Sequence, residues 1–133
     1  MILSHRIYTS VLIGLSGASV MAAMGQGHFE PGMVVVATAG AGLAGLPVAG
    51  LFGGRGREGV LAAVAGAVMA TALGAMLAGG ALALMTGFGG AVFIAPAAVA
   101  GAILSQKLTA LAWVGSMAGA HFLTLLAREE AAY

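Results

Sequence analysis

Long apolar runs alternate with short polar breaks along the whole chain. Each run is close to the roughly 17 to 25 residues that a transmembrane helix needs, and the charged residues fall in the breaks or at the ends of the runs. The pattern predicts an all-α integral membrane protein with a single transmembrane domain, residues 1–133. This domain is a small polytopic bundle of five Gly/Ala-rich transmembrane helices, predicted at residues 7–24, 33–52, 60–85, 87–104 and 108–127.

The fourth run has the weakest helical signal of the five. It is short, has three glycines among its first four residues and contains Pro96. Non-helical backbone at membrane depth is tolerated only where protein or a water-filled cavity surrounds it. We therefore expect a full span here, and keep four spans plus a re-entrant segment as the alternative.

Basic residues predict the orientation, because cytoplasmic loops of membrane proteins are enriched in Lys and Arg. With five spans, Arg6, Arg55, Arg57 and Lys107 lie on one side, and Arg128 lies on the other. With four spans, Arg128 and Lys107 exchange sides. Both counts predict a cytoplasmic N-terminus, and they differ only in the side of the C-terminus.

The amino-acid composition supports a membrane protein and excludes several kinds of binding site. The chain is 61% hydrophobic and 7% charged, whereas soluble domains are about 25% charged. A net charge of +1, without a basic stripe, predicts no nucleic-acid partner. The absence of cysteine excludes disulfides and thiolate metal sites. The glycine- and alanine-rich composition suggests a bacterial protein, and so an inner-membrane location.

Small residues recur at every fourth position in several predicted helices, which places them on one helix face. Such faces let helix backbones approach closely in lipid, where van der Waals contact drives association. Two interpretations stay open: the faces hold the chain's own helices together, or some receive a partner helix, a pigment tail or a lipid. The glycines predicted to act in helix packing are Gly45, Gly66, Gly74, Gly79, Gly115 and Gly119.

His121 is the candidate cofactor ligand, since it lies inside the last apolar run, about 10 Å along the helix from Arg128. An ionisable residue at such depth is a functional-site hypothesis, and one imidazole nitrogen could ligate a haem or chlorin. The favoured alternative is a structural histidine hydrogen-bonded to a backbone carbonyl or a hydroxyl. His28 and Glu30 are too few ligands for a metal site, so no metal is predicted.

The break "GGRGREG" contains Arg55 and Arg57 but lacks the Gly-Lys-Ser/Thr ending of a phosphate loop. We expect these arginines to contact lipid headgroups or a partner. Every glutamate lies at the boundary of an apolar run, and no nucleophile–base pair is evident. Carboxylate-coupled transport and enzymatic activity are therefore not expected.

The favoured function is a non-catalytic accessory or scaffold subunit of a larger membrane complex, with an energy-converting complex as one candidate. Its expected partners are membrane lipids and other integral membrane subunits, or copies of itself. The alternative is a homo-oligomeric small channel, carrier or hole-forming protein, which needs a polar face along at least one span. Thr9, Ser16 and Ser19 in the first span come closest to such a face.

Overall fold

The computed structural model describes residues 2–28 and 30–132, and these form a bundle of five α-helices. The predicted all-α fold is confirmed. The helices are α1 (Ile2–Met24), α2 (Pro31–Val48), α3 (Gly56–Thr86), α4 (Ala91–Ser105) and α5 (Lys107–Glu130), and a short 3₁₀ turn, Ala49–Leu51, follows α2.

Proline and glycine define several of the helix ends. Pro31 opens α2, where its missing N–H would have no helical partner. Pro47 lies in the last turn of α2, which continues into the 3₁₀ turn. Gly87 ends α3 in the left-handed conformation, with φ of 74°, and its N–H donates to the carbonyl of Ala83 at 2.8 Å.

Four helices, α1, α2 with its 3₁₀ turn, α3 and α5, are long and apolar enough to cross a membrane. The fourth helix differs from the expected full span at 87–104. Residues up to Gly90 form a turn, so α4 begins at Ala91 and contains only 15 residues. At 1.5 Å per residue it is about 22 Å long, shorter than the roughly 30 Å hydrocarbon core of a bilayer.

Neighbouring helices in the bundle run antiparallel. Gly14 of α1 packs on Gly42 of α2, whereas Gly17, further along α1, packs on the earlier residue Ala37. The same reversal relates α1 to α5: Thr9 bonds to Thr124, and Ser16 bonds to Ser116. Helix α1 therefore lies between α2 and α5, and α3 packs on the other side of α2.

Helix α5 also runs antiparallel to α3, which decides the path of α4. Trp113 near the start of α5 bonds to Thr71 in the middle of α3, while His121, further along α5, bonds to Gly53, just before α3. Only Gln106 joins α4 to α5. A full crossing by α4 would have made α5 parallel to α3. Helix α4 therefore does not carry the chain to the opposite end of the bundle.

The start of α1 and the end of α5 consequently lie at one end of the bundle, which we call the terminal end. It contains the first turns of α1, the α2–α3 connection and the last turns of α5. The opposite end, called the distal end, contains the α1–α2 and α3–α4 connections. This arrangement requires an even number of crossings, in agreement with the four long helices.

Close backbone contacts hold the bundle together at four of the predicted glycines. A Cβ atom added to Gly74 would lie 2.9 Å from the Cα of Ala41, which no side chain could accommodate without moving α2 away from α3. A Cβ added to Gly79 would clash in the same way with Ala91 and Ala95 of α4. At Gly45 and Gly66 an added Cβ would crowd its neighbours less severely, namely Ser10 and Ile13 at the first glycine and the side chains of Phe52 and Leu51 at the second.

Gly115 and Gly119 differ from this group. No atom outside their own local helix lies within 4 Å of a Cβ added to either residue. Among the described residues no other helix packs on them, so their role in helix packing stays a prediction that concerns a partner. The inward face of α5 is formed by Met117, Ala120 and Thr124, and the two glycines lie on its other side.

Candidate functional site

His121 makes a structural hydrogen bond to the α2–α3 connection. Its Nδ1 accepts the backbone N–H of Gly53 at 3.1 Å. Gly53 is buried and has a positive φ of 75°, so no regular helix supplies a partner for its N–H. The imidazole thus satisfies a backbone donor that lies 68 residues earlier in the chain.

The direction of this bond bears on cofactor binding. A metal-ligating histidine normally donates its second ring N–H to a carbonyl or carboxylate, which leaves the other nitrogen unprotonated for the metal. Here Nδ1 accepts a hydrogen bond, so in neutral His121 the proton is on Nε2. This geometry favours the structural role, although the sequence had suggested a carbonyl or hydroxyl as the partner.

Two pairs of hydroxyl groups join α1 to α5 inside the bundle. Thr9 and Thr124 are 3.1 Å apart, and Ser16 and Ser116 are 2.5 Å apart. Because Ser116 also donates to the carbonyl of Ala112, Ser16 is the donor in its pair. Buried hydroxyl pairs of this kind connect transmembrane helices at about 0.6 kcal/mol each.

A central apolar cavity of about 90 Å³ lies in the distal half of the bundle. All five helices contribute to its wall. The lining includes four flexible methionine side chains, several alanines and glycines, and Trp113. The methionines are Met21, Met24, Met33 and Met117.

The few polar groups in the cavity wall already have partners. Trp113 Nε1 donates to Thr71 Oγ1 at 2.7 Å, and that hydroxyl donates to the carbonyl of Ala67 at 2.7 Å. Ser16 is bonded to Ser116. No buried side-chain nitrogen or oxygen within residues 2–28 and 30–132 lacks a hydrogen-bond partner. The cavity therefore offers shape and apolar surface, without a free polar group to orient a ligand.

Leaving this space empty is unfavourable. While this space of about 90 Å³ is empty, the atoms of its wall lack van der Waals partners on one side. Water is a poor occupant, because a buried water needs two to four polar partners. An apolar occupant would restore van der Waals contacts with the wall.

Arg55, in the α2–α3 connection, and Arg57, in the first turn of α3, lie at the terminal end. The Arg55 guanidinium contacts Oε1 of Glu129 through Nη2 at 2.8 Å and Nε at 3.2 Å. The Arg55 side chain is 75% exposed, so this ion pair contributes little stability. Arg57 is also exposed. Their contact with lipid headgroups or a partner stays a prediction.

His28 and Glu30 lie in the exposed α1–α2 connection at the distal end. Among the described residues, no group of three or more His, Asp or Glu side chains could hold a metal ion. His28 and Glu30 are therefore not joined by a third ligand in that part of the chain.

Sequence reasoning missed the cavity and the inward orientation of Trp113. A tryptophan in the second turn of a transmembrane helix is typical of an interfacial aromatic belt. In the structure its indole instead reaches Thr71 across the bundle. The one available signal was the shortage of bulky residues on the small-residue helix faces, which leaves an interior hard to fill.

Comparison with known proteins gives no relative. The chain matches no protein-family model, no curated protein and no solved structure.

Proposed function

We propose that this protein is a non-catalytic accessory or scaffold subunit of a larger membrane complex, and that it binds its partner through the outer face of α5. We further propose a bacterial inner-membrane location, with the terminal end in the cytoplasm. In that orientation Arg6, Arg55, Arg57 and Arg128 are cytoplasmic and only Lys107 is outside, in line with the preference of positive residues for the cytoplasmic side.

The exposure of α5 is the observation that carries the proposal. Only 17% of its most apolar 18-residue window is buried inside the chain, compared with 33–39% for the other three long helices. The outer face also carries the open glycines Gly115 and Gly119, four residues apart. This spacing creates a shallow depression that lets a second helix approach the backbone closely.

The buried polar side chains support a scaffold role over a channel. Thr9 and Ser16, the best candidates for a polar pore face, are 1% exposed and bond to α5. Ser19 lies on the exposed side of α1 and bonds to the carbonyl of Leu15. Thr9 and Ser16 therefore connect helices of one chain, Ser19 bonds within its own helix, and the three hydroxyls do not form a continuous polar path.

The test is gentle extraction from the native membrane, followed by native mass spectrometry of the assembly. We expect unrelated subunits in a fixed ratio with the wild-type chain. Gly115→Leu should weaken their association at least about tenfold, equivalent to about 1.4 kcal/mol, because the leucine fills the depression. Gly101→Leu on α4 is the matched control, since it also adds a leucine at an open glycine.

Two results would contradict the proposal. Equal retention of partners by both leucine variants would exclude the outer face of α5 as the contact. A pure homo-oligomer that Gly115→Leu dissociates would mean that this face binds a second copy, and a permeation assay would then test the channel alternative.

A further inference from the structure

We infer that the central cavity binds a hydrocarbon chain, taken either from a bilayer lipid or from an isoprenoid-tailed molecule dissolved in the membrane. This inference goes beyond the proposed accessory role and does not depend on it, since the cavity is formed by the five helices of one chain.

The chemistry of the wall selects the ligand class. The lining is almost entirely methyl, methylene, thioether and indole surface, and the hydroxyls of Ser16 and Thr71 are already bonded within the protein. A ligand with a headgroup inside the cavity would lose its own hydrogen bonds to water without replacement. A plain hydrocarbon segment loses none.

The size of the cavity fits a segment of a chain. Its volume of about 90 Å³ is smaller than the roughly 150 Å³ that holds a benzene molecule in an engineered cavity. Flexible methionines can adapt their rotamers to an irregular occupant. The cavity therefore accommodates a short length of a chain whose remainder lies outside the bundle.

The entry is at the seam between α4 and α5. This is the most sparsely packed of the seams between helices adjacent in sequence. Val99 on α4 and Trp113 on α5 flank the seam and both line the cavity. Since this part of the bundle faces lipid, a chain can enter sideways without passing through water.

Trp113 is the only tryptophan in the chain, so its fluorescence reports occupancy. The protein is reconstituted in vesicles of phosphatidylcholine whose acyl chains carry bromine, which quenches tryptophan on contact. Val20→Phe fills the cavity from α1, and Val68→Phe makes the same change on the exposed side of α3. We expect Val20→Phe to reduce quenching at least about twofold, because the ring occupies the ligand's volume, and Val68→Phe to leave quenching unchanged.

Val99→Phe provides a second filling variant if Val20→Phe does not fold, which circular dichroism will show. Equal quenching of the wild type and both folded filling variants would overturn the inference, as would absence of quenching in the wild type. Adding an unbrominated polyisoprenoid alcohol to the brominated vesicles distinguishes the two sources. Recovery of fluorescence identifies an isoprenoid chain as the preferred occupant, and unchanged quenching identifies a lipid acyl chain.

Discussion

At the scale of single residues, the contact between His121 and Gly53 joins the last helix to the α2–α3 connection. The buried Gly53 N–H depends on the imidazole Nδ1 as its acceptor. This polar contact explains a histidine inside an apolar helix without a cofactor. Only one ring nitrogen, Nδ1, is needed as the hydrogen-bond acceptor. Substitutions can therefore test the acceptor separately from the volume of the side chain.

His121→Leu should lower the free energy of unfolding by about 1–3 kcal/mol, because it leaves a buried backbone N–H without a partner. His121→Asn should retain most of the stability, since its Oδ1 lies close to the position of Nδ1 and can accept the same bond. Denaturation in detergent, followed by circular dichroism, measures both effects. Equal losses in the two variants would mean that the imidazole acts through its volume alone.

At the scale of helices, the α1–α5 contact relies on hydroxyl pairs, whereas the α2–α3 contact relies on glycine and alanine. The pair Ser16–Ser116 lies beside the cavity, so it also sets the distance between two of the cavity walls. A hydroxyl pair can be tested by truncating each side chain to alanine, which removes the hydrogen bond without introducing a steric clash. A packed glycine can only be replaced by a larger residue, which introduces one.

A double-mutant cycle on Ser16→Ala and Ser116→Ala should give a coupling energy of about 0.6 kcal/mol, the average for hydrogen bonds between transmembrane helices. Ser19→Ala on the outer side of α1 should change stability by less than about 0.5 kcal/mol, as surface substitutions do. Thermal unfolding of the four cycle members provides the numbers. A coupling energy of zero would show that the two hydroxyls contribute independently.

The sequence predicted some helices of the bundle better than others. Charged breaks and Pro31 predicted the four long helices, because these signals are local. The ends were less exact: α1 begins at Ile2 rather than at residue 7, and Gly87 ends α3 rather than beginning the next span. The path of α4 was not predictable in the same way. It depends on the direction in which α5 packs against α3, and this is set by distant contacts such as Trp113 with Thr71. The cavity likewise forms only when five helices meet.

At the scale of the whole molecule, the antiparallel contacts of α5 bring both ends of the chain to one side. This geometry favours four crossings of the membrane over five, a choice that the count of basic residues left open. The basic residues then become consistent with the fold, since Arg55, Arg57 and Arg128 all belong to the terminal end.

The chain has no cysteine, so single cysteines can report this topology directly. Leu3→Cys and Ala132→Cys should react with a membrane-impermeant maleimide from the same side of the membrane. His28→Cys and Gly89→Cys, in the two distal connections, should react from the opposite side. Labelling of positions 3 and 132 from different sides would show that α4 crosses the membrane.

The length of α3 has a consequence for the surrounding bilayer. Its apolar part, residues 59–85, extends about 40 Å, beyond a hydrocarbon core of roughly 30 Å, and its last turn is still apolar. Leu84 and Met85 there are 90% and 76% exposed. Tilting of α3 or local thickening of the bilayer must cover this surface, at a fraction of a kcal/mol per ångström of mismatch. The protein should therefore deform thin membranes and partition into thicker ones.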